Sequence, residues 1–443
     1  MESSSTRADS SEPGGILAII KGPFVRKWLG RGSWAIADQA IYGLSTFLIN
    51  VLLGTWVSKA EYGAFAIAFS ALILLLAVYN AIFVEPMLVF GSSRYNSQFR
   101  QYLKALLKGH GLFSILSSTV LGLSAIVLYQ QNADLGAAIF GLAIATPFIL
   151  LAWLARRACY VNHNPRLATF GGTVSLAVVL IVLVVLDWQG ALSSFTALGA
   201  MGAGGLVSGV FLLIQMKVGL PGRGFGRFAR TVTKRHWVYG RWALAARVPM
   251  RVPRIIILSF LPIWAGLEAT GTLQALSNPI MPVVQVIGAI SLLLIPTLSR
   301  ERESNRFFRI TASMFVLFVG ITGISWALLG IFNGEIISLL YSGNYSEDSH
   351  LLWYLAVQPV FTAIVSVLSA GFSAVEKPKF VFWAYFIGTL IGLPITIFLM
   401  STHQLVGAIV GSIVMNFITS AVLCIFFVFL KIRFDRVPSI QSE

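Results

Sequence analysis

Three arginines, Arg247, Arg251 and Arg254, lie in the octapeptide RVPMRVPR, directly ahead of the apolar run IIILSFLPIW. Carried on one helix at 100° per residue, their side chains would fall within an arc of about 60°. A guanidinium stays charged at any physiological pH and grips phosphate through two parallel N–H bonds, so such a stripe suits a polyanion. Each arginine near the centre of a membrane helix costs about 2.5–3.5 kcal/mol, which argues against exposing all three to lipid. Pro249 and Pro253 fall on the opposite side, and each removes a backbone hydrogen bond, leaving carbonyls that need water or polar partners. A water-filled cavity would accommodate both features. In the other reading, the helix starts near residue 255 and the arginines merely flank it. Against this, the apolar run from 255 to 266 has only about 12 residues before Glu268, short of the 17 or so that a span requires. The arginines are therefore expected to bind substrate.

Two carboxylates, Asp38 and Glu85, fall in other apolar runs, where each needs a basic group or water. Bland roles are a cap or packing contact for Asp38 and a pair with Arg94 for Glu85. The sharper expectation is that one of them pairs with Arg247 across the molecule, closing one side when no substrate is bound. Gln274, Asn278 and Gln285, near Pro279 and Pro282, are candidates for lining the cavity, although polar residues in bilayer helices more often join helices together. Tyr42, Asn50 and Asn80 are weaker candidates. The five histidines are scattered and the two cysteines, Cys159 and Cys424, form no ligand cluster, so no metal or cofactor is expected. The chain offers no convergent set of acids and bases for an enzyme such as a sugar ligase or polymerase.

These residues need elements to hold them in a membrane. Hydrophobic residues make up 57% of the 443 and charged residues 11%, with a mean hydropathy of +0.82. A bilayer core of about 30 Å needs about 20 apolar residues per helix, and twelve such runs lie between 33 and 430. The connecting segments test that count. With the N-terminus inside, the inner segments collect 28 of the 32 Lys and Arg residues, the outer ones hold Lys59 among seven acids, and the last three cations are those of the octapeptide. Cytoplasmic loops are enriched in this way, so both termini are expected in the cytoplasm. The net charge of +15 then reflects topology, and a nucleic-acid partner is not expected. The reading is an all-α, polytopic membrane protein. Its expected parts are a tail and basic interfacial segment (1–32), a six-helix lobe (33–217), a basic linker (218–240), a second six-helix lobe (241–430) and a tail (431–443). EYGAFAIAFS and EATGTLQALS open equivalent helices after Glu61 and Glu268, a weak internal repeat of parallel orientation.

Three stretches carry a resemblance. WAIADQAIYGLSTFLINVLLGTWVSKAEYGAFAIAFSALILL at 34–75 resembles the first two helices of polysaccharide and O-antigen flippases in the multidrug/oligosaccharidyl-lipid/polysaccharide exporter superfamily. IISLLYSGNYSEDSHLLWYLAV at 336–357 is similar to an outside loop and helix start of that family, and LVGAIVGSIVMNFITSAVL at 405–423 to its closing helix. The resemblance implies a two-lobed carrier that moves a lipid-linked, pyrophosphate-bearing oligosaccharide or polysaccharide precursor across the cytoplasmic membrane by alternating access. It implies membrane lipid and the lipid-linked sugar as partners, and leaves proton or sodium coupling open. Twelve spans rather than fourteen depart from the lipid II branch. A cation-coupled multidrug exporter of the same superfamily is the alternative. Its relatives use an acid on the first helix, whereas Asp38 lies close to the expected cytoplasmic end of that helix.

Overall fold

The computed structural model describes residues 23–219, 225–247, 251–301 and 304–435. Most of the expected tails lies outside these residues, as do 248–250 within the arginine octapeptide. Among the described residues there are helices and turns but no strand.

The first half comprises α1 (Pro23–Trp56), α2 (Lys59–Tyr79), α3 (Glu85–Ser92), α4 (Phe99–Gln131), α5 (Ala133–Val161), α6 (Pro165–Trp188) and α7 (Ser194–Gln215). A π-helical turn, Asn80–Val84, joins α2 to α3. It precedes Pro86, which cannot donate to the turn before it, so the wider turn absorbs the missing bond. Ser58 caps α2 by accepting from the Glu61 amide, as the S-x-x-E spacing allows. The Glu61 carboxylate in turn accepts from the Ser194 amide at the start of α7, at 3.3 Å.

Helix α8 (Phe225–Arg247) leads into the second half. It packs on α4 and the π-helical turn, with Tyr102 hydrogen-bonded to His236 at 2.5 Å and the His236 Nδ1 at 2.8 Å from the Ile82 carbonyl. The second half holds α9 (Val252–Ser277), α10 (Met281–Arg300), α11 (Asn305–Ile331), α12 (Asn333–Tyr341), the short α13 (Leu352–Leu355), α14 (Gln358–Ala374) and α15 (Lys379–Asp435). Two of these helices are broken. Gly266 takes φ 76° and ψ 171° inside α9, a conformation only glycine adopts without strain. Gln404, at φ 49° and ψ −121°, divides α15. Among the described residues, ten stretches are long and apolar enough to cross a bilayer, and the breaks at 266 and 404 divide two of them, which gives twelve segments.

One boundary differs from the sequence expectation. Helix α8 continues through 241, so the expected division between linker and second lobe falls inside a continuous helix. The span expected over 241–266 is instead two helices, one ending at Arg247 and the next beginning at Val252. Pro249 and Pro253 explain the difference, because proline lacks an N–H and disfavours helix in the residue before it.

The halves meet where α2 crosses the second part of α9. A Cβ on Gly63 would stand 1.9 Å from the Leu267 carbonyl oxygen, and one on Gly271 2.2 Å from that of Lys59. In lipid, such close backbone approach is how helices gain contact. Gly63→Val is therefore expected to pry α2 from α9 at about 1–3 kcal/mol, the usual cost of overpacking. A lower melting temperature of the purified protein would report it. Gly111→Ala, whose added methyl meets nothing within 4 Å, should leave the melting temperature unchanged or raise it.

Candidate functional site: arginines between two lobes

The first part of α9, from Val252 to the break at Gly266, is about 14 residues or 21 Å long, against a hydrocarbon core of about 30 Å. Arg254 therefore lies about 18 Å from that break, inside the core. Arg254 retains accessible surface, and an arginine so placed favours water over lipid as its surroundings. Its Nη2 donates to Gln274 Oε1 at 2.9 Å. Arg251 precedes the first turn of α9 and is exposed as well. Its charge acts on Tyr42 of α1, on Tyr385 of α15 and on Arg254, so it stands between groups of both halves. Arg247 is the last residue of α8, and its side chain lies outside the described residues. The expected stripe is divided between helices, with Arg247 at the end of α8, Arg254 on α9, and 248–250 outside the described residues. The arginines fall on two helices, and the structure brings Arg251 and Arg254 together across the first turn of α9.

Arg254 lines a cavity of about 190 Å³ with Gln358, Tyr385, Asn416 and Thr419 among its polar lining. The first half contains a cavity of about 120 Å³ lined by Tyr42, Thr46, Arg156, Ser175 and Ser208 among others. Counted as membrane passes, the first-half cavity draws on passes 1, 2, 4, 5 and 6, and the second-half cavity on passes 7, 8, 10, 11 and 12. The same five positions of each half thus enclose a cavity, and each cavity has one arginine and no carboxylate among its lining residues.

Asp38 is fully buried. It accepts from Arg156 Nε at 2.7 Å and from the Tyr160 hydroxyl at 2.5 Å, while Arg156 Nη2 donates to the Asp38 carbonyl at 3.0 Å. The Arg156 guanidinium also lies 4.9 Å over the Tyr42 ring and 5.6 Å over Trp153. Asp38 thus pairs within its own half, where the sequence reading looked for Arg247 across the molecule. The reason is that α5 stays helical to Val161, carrying Arg156 beside α1 instead of into the loop to which charge counting assigned it. Glu85 lines an open groove of about 920 Å³ with Lys234, Arg235, Tyr239 and Trp242 of α8. Gln274 and Asn278 are buried and hydrogen-bonded to Asn50, Tyr62 and Tyr341, so they join helices and do not line the cavity. Gln285 is exposed and approaches Gly43 of α1. Sequence reasoning passed over Tyr62, Tyr341 and Arg156. The helix phase of Arg156 on a pass opposite Asp38 was the available signal for the last.

No family model matches the chain, and no curated protein does. Solved structures do. An inward-facing multidrug resistance MATE family transporter of the MOP superfamily aligns with TM-score 0.75 and 11% identity, over 92% of this chain and 100% of that one. The lipid II flippase MurJ, in an inward closed conformation, aligns with TM-score 0.70 and 12% identity, over 89% of this chain and 87% of that one. A MOP superfamily transporter from Pyrococcus furiosus with a binding pocket of reverse polarity aligns with TM-score 0.63 and 11% identity, over 96% and 99%. The chain has the two-lobed fold of MOP superfamily transporters.

Removing one partner of a buried ion pair costs about 3–5 kcal/mol, because the other charge is left uncompensated. Asp38→Leu alone should therefore sharply lower the melting temperature and yield. Adding Arg156→Leu should restore most of both. Failure of the double variant to recover would show that the pair does more than neutralise itself.

Proposed function

We propose that the chain is a flippase that moves a lipid-linked oligosaccharide or polysaccharide precursor across the cytoplasmic membrane by alternating access of its two lobes. One observation carries the reading: Arg251 and Arg254 stand together at the start of α9 with accessible surface, and neither interior cavity is lined by a carboxylate. A phosphate or pyrophosphate head group matches two guanidiniums by charge and by forked geometry. The lipid tail stays in the bilayer while the sugar follows the head group through the cleft. The basic ends of the helices face the cytoplasm in this reading.

A cation-coupled multidrug exporter is favoured by the fold of the MATE transporter above. It calls for acids in the cavities, whereas Asp38 is committed to Arg156 and Tyr160. The lipid II flippase supports a lipid-linked cargo on this fold, and the transporter with a pocket of reverse polarity supports a function on it other than multidrug export. Proton or sodium coupling belongs to either version.

Hydrogen bonds to charged groups contribute about 1.5–3 kcal/mol each, roughly ten- to a hundredfold in affinity. In proteoliposomes, Arg251→Gln and Arg254→Gln should each slow movement of a fluorescent lipid-linked sugar by at least about tenfold at equal protein. Arg254→Lys, which keeps the charge but not the fork, should fall between. Rates near wild type in both glutamine variants would remove the reading.

A further inference from the structure

Arg254 is wired to the contact between the halves. Its guanidinium has only donors, so the Gln274 oxygen must face it, as the 2.9 Å bond shows. That orientation turns the Gln274 amide nitrogen toward the other half, where it donates to Asn50 Oδ1 of α1 at 3.1 Å and to Asn278 Oδ1 at 3.3 Å. Asn50 Oδ1 also accepts from the Tyr62 hydroxyl at 3.2 Å. Asn278 Nδ2 donates to the hydroxyls of Tyr62 and Tyr341 at 2.8 Å each. Every member from Asn50 to Tyr341 is at most 2% exposed. Donors and acceptors therefore match along the whole chain without water, across helices α1 and α2 of one half and α9 and α12 of the other. A dry network of this kind is stable when complete and costly when one member loses its partner.

We propose that Gln274 is a positioning residue that couples occupancy of Arg254 to this seal. The proposal rests on the reading of Arg254 as a phosphate ligand. An anion that takes the guanidinium leaves the Gln274 oxygen without its donor in a place that water does not reach. The amide then loses the constraint that aims its nitrogen at Asn50, and the seal between the halves loosens. The empty carrier is thus held shut at this end by the residue that the substrate displaces.

The test uses the full chain in lipid nanodiscs with Cys159 and Cys424 changed to Ser. Spin labels are placed at Gln189→Cys and Glu335→Cys, exposed positions in opposite halves at the sealed end. Farnesyl pyrophosphate serves as probe and farnesol as its phosphate-free control. The wild-type protein should show one short distance, with a longer population added by the probe and none by farnesol. Gln274→Leu and Asn50→Leu should show the longer population without probe. Gln274→Leu should also bind the probe on the order of tenfold more tightly, because the guanidinium is no longer shared. A residue that served structure alone would weaken binding or leave it unchanged. Short distances in both variants overturn the proposal. Probe that binds wild type without lengthening the distance overturns the coupling and leaves the phosphate site standing. Probe that binds no form overturns the phosphate site and the coupling with it.

Discussion

The bond from the Arg254 guanidinium to the buried network between the halves constrains the rest of this molecule. Arg254 sits about 18 Å along a helix from its outer break, where lipid contact would cost several kcal/mol. In the proposed mechanism water reaches it through an opening between the two halves. A cleft open to Arg254 must also be closed beyond it, or the membrane would leak. Closure is supplied by the glycine crossing of α2 and α9 and by the amide and tyrosine network joining Asn50, Gln274 and Asn278.

The two halves use this chemistry differently. Each encloses a cavity between equivalent passes, and each cavity contains one arginine. Arg156 is neutralised where it lies by Asp38 and further satisfied by the rings of Tyr42 and Trp153. Its charge is spent on holding α5 against α1. Arg254 has a neutral amide as its hydrogen-bond partner and a second cation, Arg251, acting on it. Arg156 likewise has a second cation beside it, Arg157, so each half holds a pair of arginines, and among the described residues only the first-half pair has a carboxylate bonded to it. That asymmetry, more than the number of arginines, is what the proposed anion site rests on.

The apolar runs were legible because hydrocarbon tolerates no unsatisfied backbone, so each pass must declare itself as a continuous stretch. The breaks near 266 and 404 were legible for the same reason, as gaps between runs. The change from α8, ending at Arg247, to α9, beginning at Val252, read only as a kink, since hydropathy does not distinguish a bent helix from two helices. Asp38 and Arg156 lie 118 residues apart, and their pairing is set by how α1 and α5 pack, which no local pattern encodes. Charge counting assigned Arg156 to a loop because the rule sees segments and not the length of the helix that enters them. The segment at 333–349 read as an outside loop, since its nine-residue helix is far too short to register as a span. Yet it buries Tyr341 and Tyr345 against the seal.

The magnitudes say why two arginines stand in the cleft. A neutral hydrogen bond in the seal contributes about 0.5–1.5 kcal/mol net, and one to a charged group about 1.5–3 kcal/mol. Swinging a two-state carrier from almost wholly closed to almost wholly open takes about 5.5 kcal/mol of differential binding. A single phosphate contact at Arg254 unbalances the seal but falls short of that span. A second contact at Arg251, whose charge acts on Tyr42 of one half and Tyr385 of the other, brings the sum to about the required size. In the proposed mechanism a cargo with one phosphate would then shift part of the carrier population, and one with two adjacent phosphates would shift nearly all of it.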